Sequence, residues 1–199
     1  EDEPMVRIAV IDDANVNQMW NDVQVGTKKM SENWNREEGK EYELVTFTNA
    51  DEVEFFQNGK SLGVQQNDKK NAKVRNRIAW HKIKFENGTV EAIARTNGKE
   101  VARHKLETTG EAVALKVFAD DDLAWKADGM DLKYIRINAV DKKGRRVYAA
   151  NERLTFEVEG DAKIVAVDNG DNSSDELHTG NTRSLFEGSA LVILRSGKT

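Results

Sequence analysis

Apolar and polar side chains alternate with a period of two along most of this chain, and that pattern limits what it can fold into. Val113, Leu115 and Val117 form one such run, and others occupy residues 53–55, 79–85, 135–139, 154–158 and 190–194. Successive side chains of a β-strand point to opposite faces, so alternation over a few residues predicts a half-buried strand. The chain is therefore predicted to consist mainly of short strands.

Turn signals separate these runs. Asn-Gly pairs occur at residues 58–59, 87–88, 97–98 and 169–170, and both residue types tolerate the positive φ of a tight hairpin turn. Short strands with turns roughly every 8–12 residues are typical of sandwiches and barrels. We predict an all-β chain of two immunoglobulin-like sandwiches in tandem. The first comprises residues 36–108, the second residues 109–199, and residues 1–35 are a lead-in segment from the preceding domain.

One segment departs from the alternation. Val16, Met19, Trp20 and Val23 have the spacing of one helix face. This spacing predicts a short amphipathic helix near residues 13–24 of the lead-in.

Composition excludes several classes of function. Of the 199 residues, 38% are hydrophobic and 33% charged, which favours a folded core over disorder. The net charge is −5, and without a basic stripe we expect no nucleic-acid partner. No apolar run approaches the roughly 20 residues of a membrane helix, so we expect no membrane partner. The absence of cysteine excludes disulfides, thiol catalysis and cysteine-ligated zinc.

The first half contains four short motifs that belong together, at residues 33–35, 38–40, 48–54 and 58–63. In order they are Asn-Trp-Asn, Glu-Gly-Lys, Thr-Asn-Ala-Asp-Glu-Val-Glu and Asn-Gly-Lys-Ser-Leu-Gly. They resemble the region after the catalytic barrel in glycoside hydrolase family 2, especially its β-galactosidase-like members from Bacteroides-type bacteria. Phe55 stands where that family usually has leucine.

The second half resembles the last immunoglobulin-like domain of the same enzymes. The matching segments are residues 127–129, 135–144, 156–160 and 168–171. These motifs are also similar to immunoglobulin-like domains of bacterial adhesins. An adhesin-type structural repeat is therefore one alternative, and an autonomous carbohydrate-binding module is another.

The resemblance implies a parent enzyme that is a retaining glycosidase. Its two catalytic carboxylates would lie about 5 Å apart in a (β/α)₈ barrel of roughly 250 residues. No segment here matches that barrel, so we assign no catalytic residue. The implied function is a non-catalytic accessory region that braces the barrel, shapes its pocket rim or supports an oligomer interface. The implied partner is the parent barrel, with carbohydrate and a second copy left open, and the implied location is the periplasm or cell surface.

Two tryptophans, Trp34 and Trp125, are the candidates for carbohydrate contact, because aromatic rings stack on the apolar face of sugars. The alternative for both is packing, since aromatic side chains dominate core energetics. Trp80 lies within an alternating strand and is predicted to be a core residue. Trp34 belongs to the Asn-Trp-Asn motif, and Trp125 lies in the polar loop 120–131.

Metal ligands are the remaining candidates. Calcium favours oxygen ligands, and four aspartates of the polar loop offer them: Asp120, Asp121, Asp122 and Asp128. Their spacing is not that of an EF-hand, so a solvated turn is the favoured interpretation, as it is for residues 169–176. The histidines lack metal-ligand spacing; they are His81, His104 and His178. We expect no metal and no cofactor.

A domain that packs on a barrel is expected to carry an apolar patch where it docks. We predict this patch in the lead-in. Its residues would be Val16, Met19, Trp20, Val23 and Trp34.

Overall fold

A computed structural model describes residues 3–20, 23–119 and 124–198, with the backbone alone described for residues 13–20 and 23–28. Contacts divide the chain into two compact units, Glu1–Thr108 and Thr109–Thr199. All helical or strand structure in the described part is β-strand, which confirms the predicted all-β class. No helix in that part has the length and apolar character needed to cross a membrane.

The first unit is a sandwich of two antiparallel sheets. Its strands are β1 (Val6–Trp20), β2 (Val23–Ser31), β3 (Glu41–Thr48), β4 (Glu52–Gln57), β5 (Lys60–Gln66), β6 (Arg77–Lys84), β7 (Thr89–Thr96) and β8 (Lys99–Glu107). The strand orders are β2-β1-β3-β6 and β5-β4-β7-β8. The chain changes sheet after β3, after β5 and after β6, as in an immunoglobulin-like sandwich.

The core of the first unit lies between its two sheets. Ile8 of β1 and Phe55 of β4 are both fully buried, because inward residues of each strand face the opposite sheet. Phe55 stacks on Trp80 of β6 with 5.0 Å between ring centroids. The ring N–H of Trp80 donates to Thr46 Oγ1 at 3.1 Å, so its polar atom is satisfied inside the core.

The lead-in is part of this sandwich, contrary to the prediction. Strand β1 pairs with β3 from Val6 to Ile11, and its inward residues belong to the core cluster. The predicted helix near residues 13–24 is also wrong, because Asn15–Trp20 pair with Val23–Lys28 as an antiparallel ladder. Helical spacing over only four apolar residues is a weak signal, and strand pairing overrides it here. The side chains of Val16, Met19, Trp20 and Val23 lie outside the described residues.

Two of the Asn-Gly pairs form the hairpin turns that their sequence predicts. Asn58 and Gly59 have φ of 49° and 79°, which is the left-handed pair that a two-residue hairpin needs. Residues 97–98 connect β7 to β8 in the same way. The Asn58 side chain also accepts from the Thr89 N–H at 2.7 Å and donates to the Asn87 carbonyl at 3.2 Å. It therefore ties the β4–β5 turn to the chain that enters β7.

The second unit has one four-stranded sheet and one two-stranded sheet. Its strands are β9 (Ala114–Ala119), β10 (Leu132–Val140), β11 (Arg153–Thr155), β12 (Ala162–Asp168), β13 (Thr182–Ser184) and β14 (Ser189–Ser196). The orders are β12-β14-β10-β9 and β11-β13, and all neighbours are antiparallel. Ile137, Val167 and Val192 are buried on the inner face of the larger sheet, where Leu154 and Phe156 pack against them.

Strand β9 forms where the alternation predicts a strand, but the expected half-burial is wrong. Leu115 and Val117 pair with Ala139 and Ile137 and so share their face of the sheet. Ala139 and Ile137 are buried, whereas Leu115 and Val117 are 52% and 62% exposed. Strand β9 is the edge of its sheet, and alternation identifies a face without telling whether another layer covers it.

Candidate functional site

Trp34, the first carbohydrate candidate, lies inside the first unit. Its side chain is only 1% exposed and meets Phe85 edge-on, with 5.0 Å between centroids and 65° between planes. Its ring N–H has no hydrogen-bond partner among the described residues. This environment favours packing, the alternative that the sequence left open, over contact with a sugar.

Trp125, the second candidate, is on the surface of the second unit. Its ring is 40% exposed, and its Nε1 donates to the Asp131 carbonyl at 3.3 Å. The Asp131 carboxylate accepts from the Lys126 N–H at 2.8 Å, so two hydrogen bonds join this end of the loop to Asp131. The ring of Trp125 is therefore partly exposed and fixed in place by its hydrogen bond to Asp131.

The aspartates proposed as calcium ligands divide into two groups. Asp120, Asp121 and Asp122 lie outside the described residues. Asp128 is described, and its carboxylate accepts from the N–H groups of Met130 and Asp131, both at 2.8 Å. These bonds lower the pKa of Asp128 and use the carboxylate to build a turn. The described residues contain no group of three or more histidine, aspartate or glutamate side chains suited to a metal ion.

Asp141 lies at a surface depression of about 290 Å³ that Gly110, Glu111, Val113, Lys142, Lys143 and Arg145 also line. The carboxylate is almost fully buried. It accepts from the Arg145 guanidinium at 3.0 and 2.5 Å and from the N–H groups of Gly110 and Lys143. The guanidinium, above all, holds the pKa of Asp141 far below its usual range. Its role is to fix the turn 141–145, one of the motifs of the family resemblance.

The polar loop 169–176 is organised by Arg183, which the sequence analysis did not single out. Arg183 is fully buried, and it donates to the Glu176 carbonyl and to Asn169 Oδ1, both at 2.8 Å. The Glu176 carboxylate in turn accepts from the hydroxyl and N–H of Ser184, which lower its pKa. No local pattern distinguishes Arg183 from a surface arginine, because its partners lie 7 and 14 residues away.

Each histidine has its own separate partner. His81 Nδ1 lies 3.1 Å from Glu43 Oε1, and His178 Nδ1 lies 3.3 Å from the Val167 carbonyl. His104 Nδ1 accepts from the Ile8 N–H at 3.1 Å and so joins β8 to β1 across the first sandwich. These contacts are structural, and His104 is a second residue whose role the sequence did not reveal.

The resolved carboxylate pKa shifts in the described part of the chain all point downward. Hydrogen bonds from backbone amides, hydroxyls or cationic side chains cause these shifts. A glycosidase general acid needs the opposite, a carboxyl whose pKa is raised so that it holds a proton near neutral pH. These carboxylates are therefore suited to building loops and ion pairs.

Comparison with known proteins finds a family-model match in each unit. Residues 115–199 match the model of the glycoside hydrolase family 2 C-terminal domain 5, and residues 39–102 match a domain of unknown function, DUF4982. The chain corresponds to a C-terminal region of glycoside hydrolase family 2. The matched residues run from β3 into β8 and across most of the second unit. They include most of the sequence motifs of the resemblance, whereas the Asn-Trp-Asn motif at residues 33–35 precedes them.

The proteins that this family 2 region matches are glycosidases much longer than the matched segment. The β-galactosidase BoGH2A of Bacteroides ovatus is 37% identical over 178 residues, which are 89% of this chain and 20% of that protein. A β-glucuronidase of Formosa agariphila is 32% identical over 133 residues, 65% of this chain and 13% of that protein. The crystal structure of a family 2 member from Bacteroides cellulosilyticus matches with a TM-score of 0.86 and 33% identity, covering 100% of this chain and 26% of that one. The chain thus spans about a quarter or less of these relatives.

Proposed function

We propose that this chain is a non-catalytic accessory region of a β-galactosidase-like, retaining family 2 glycosidase. The observation that carries the proposal is the match of the second unit to a C-terminal domain of that family, together with the 20% coverage of the β-galactosidase relative. Four-fifths of such a relative lies outside the matched region. The barrel and its paired carboxylates belong to that larger part in our proposal.

The accessory role is to brace the barrel, shape its pocket rim or support an oligomer interface. Sandwich cores such as Phe55 against Trp80 make rigid supports. The carboxylates with lowered pKa serve loops and ion pairs, as Asp141 and Glu176 do. We further propose that the parent enzyme is exported to the periplasm or cell surface.

Hydrolysis assays of the isolated chain test this proposal. The purified chain, at high concentration with aryl β-galactosides and aryl β-glucuronides, should give no turnover above the buffer rate. The parent polypeptide, assayed in parallel, should be active. Turnover by the chain that survives repurification and disappears with a single carboxylate substitution would refute the proposal.

Carbohydrate binding is a second candidate function, favoured by the partly exposed ring of Trp125. Affinity electrophoresis in gels containing galactans or glucuronic-acid polymers tests it. Retardation that Trp125→Ala abolishes supports this function, whereas equal migration of both proteins with and without polysaccharide excludes it under those conditions.

A further inference from the structure

The outward side of the β12-β14-β10-β9 sheet is unusually apolar. Directly paired residues share a face of a sheet, so the register defines its outward rows. One row contains Phe118, Arg136 and Leu191, and the next contains Tyr134 and Ile193. A third row pairs Leu132 with Arg195. We call the set Phe118, Leu132, Tyr134, Leu191 and Ile193 the outer face of the second unit.

Much of this outer face is open to solvent. Phe118, Leu132 and Tyr134 are 39%, 42% and 45% exposed, and Leu191 and Ile193 are partly exposed. The outward residues of a sandwich strand are normally polar. A contiguous apolar area that is exposed on a folded domain indicates an interaction surface.

The charges around the outer face are mostly positive. Its rows include Lys116, Arg136, Lys163 and Arg195. Among the described residues, Arg136 and Arg195 form no ion pair. The carboxylate in these rows is Asp168, which already accepts from the N–H groups of Asn169 and Gly170. An apolar surface with arginines and few carboxylates complements a partner that is apolar at its centre and acidic at its rim.

The composition of the outer face fits a protein better than a sugar. Leucine and isoleucine fill much of it, and aliphatic side chains offer no flat ring on which a pyranose could stack. The ammonium of Lys116 lies 5.1 Å from the centroid of the Phe118 ring, where a sugar would otherwise stack. Aromatic residues together with arginine are enriched in protein interfaces.

The matched relatives indicate where such a protein surface would come from. This chain covers 20% of the β-galactosidase and 26% of the solved family 2 structure, so most of a comparable polypeptide lies beyond the matched region. Domains joined in one chain meet at high effective concentration, and their interfaces bury about 600–1,500 Å².

We infer that the outer face of the second unit docks against another domain of its parent glycosidase polypeptide, one that lies outside this chain and carries acidic residues around an apolar contact. The inference rests on the proposed function, because it requires a parent enzyme. It names the surface through which the accessory region acts. It also moves the predicted docking patch from the lead-in to β9, β10 and β14.

Hydroxyl-radical footprinting tests the inference by comparing the 199-residue chain with its full-length parent polypeptide. Modification of Tyr134 and Phe118 should fall about fivefold in the parent, because residues at the centre of an interface lose nearly all solvent contact. Leu177 and Met130, which are 75% and 80% exposed outside this face, serve as internal controls and should be modified equally in both proteins. The parent variant Tyr134→Glu should restore modification of Phe118, whereas Leu177→Glu should not.

Three outcomes would overturn the docking inference. They are equal modification of Tyr134 in chain and parent, protection already present in the isolated chain, and protection of the isolated chain by added galactan or glucuronan fragments. The last result would make the outer face a sugar-binding surface. The proposed function is judged separately by the hydrolysis assays: an inert chain with an unprotected Tyr134 removes only the docking inference.

Discussion

Two four-stranded sheets, one in each unit, differ in whether the charges on their outward faces form ion pairs. In the first unit, the β5-β4-β7-β8 sheet pairs its outward charges: Arg95 meets Glu54 at 2.8 Å, and Arg103 meets Glu91 and Glu100 at 2.9 Å each. In the second unit, the corresponding rows expose Phe118, Leu132 and Tyr134 among arginines. The second unit instead buries a guanidinium, that of Arg183. The outward face of the first unit has its charges paired and is suited to solvent, whereas the outer face of the second unit is suited to contact with a partner.

Among the substitutions that test this difference between the units, Arg183→Met should cause the largest loss of stability. It leaves the Glu176 carbonyl and Asn169 Oδ1 without their donor and should destabilise the second unit by about 3 kcal/mol, because each polar acceptor left unpaired costs about 1–3 kcal/mol. Urea denaturation, with hydrogen exchange following each unit, measures the loss. Arg195→Met is the matched control and should change little. A loss below that of the control would mean that the buried cation does not organise the loop.

Asp141 makes the stability of the second unit depend on pH in the acidic range. Its folded-state pKa is lowered chiefly by Arg145, so the unfolded state binds more protons as the pH falls. The stabilisation is fully present above about pH 4, near the ordinary aspartate pKa, and is lost progressively below it. Thermal unfolding from pH 6 to pH 2 measures this, and Asp141→Asn should be less stable at pH 6 and flatten the curve. An unchanged slope would show that Asp141 does not control acid stability.

His104 places the acid sensitivity of the first unit in a different pH range. Burial is the main cause that lowers its pKa, Arg7 lowers it further, and Glu32 at 3.7 Å opposes them. Neutral His104 accepts from the Ile8 N–H, so its stabilisation is present above about pH 6.5 and is lost as the pH falls below that value. Hydrogen exchange of β1 between pH 7.5 and pH 5 measures the effect. His104→Gln, which does not titrate, should remove the pH dependence; if it persists, another group causes it.

The smallest change in stability is expected from the ion pairs on the outward face of the β5-β4-β7-β8 sheet in the first unit. Arg103→Gln breaks two ion pairs at the surface, one with exposed Glu100 and one with partly exposed Glu91. Surface ion pairs contribute little to stability and are screened by salt. The melting temperature of the variant should be slightly below that of the unsubstituted 199-residue chain at low salt and equal to it in 1 M sodium chloride. Arg195→Gln, which breaks no such pair, should show no dependence on salt. A salt-independent loss in Arg103→Gln would show that packing of the arginine stem matters more than its charge.

Sequence reasoning predicted what depends on local chemistry. Alternation located β10 and β14, and the Asn-Gly pairs located the turns at residues 58–59 and 97–98. It failed near residues 13–24, where four apolar residues have helical spacing but the backbone forms the ladder between β1 and β2. It also could not find Arg183 or His104, because their partners are distant in the chain.

Candidate functional residues show the same limit. Trp34 and Trp125 look alike in a sequence, yet one is in the core and the other on the surface. Alternation marked Leu115 and Val117 as one face of a strand, but only the position of β9 at the sheet edge shows that this face is uncovered. Whether a side chain is available to a partner is a property of the assembled sheets.

The bridge made by Asn58 has a consequence for how this region tolerates changes in length. Because its side chain fastens one turn to the strand entry at residues 87–89, an insertion in either segment would disrupt both. The opposite hairpin at residues 97–98 is tied in a similar way, because the Asn97 N–H donates to Asp51 Oδ2 at 3.0 Å. The stretch from Asn58 to Gly63 and the turn at residues 97–98 should therefore both keep their lengths in related sequences.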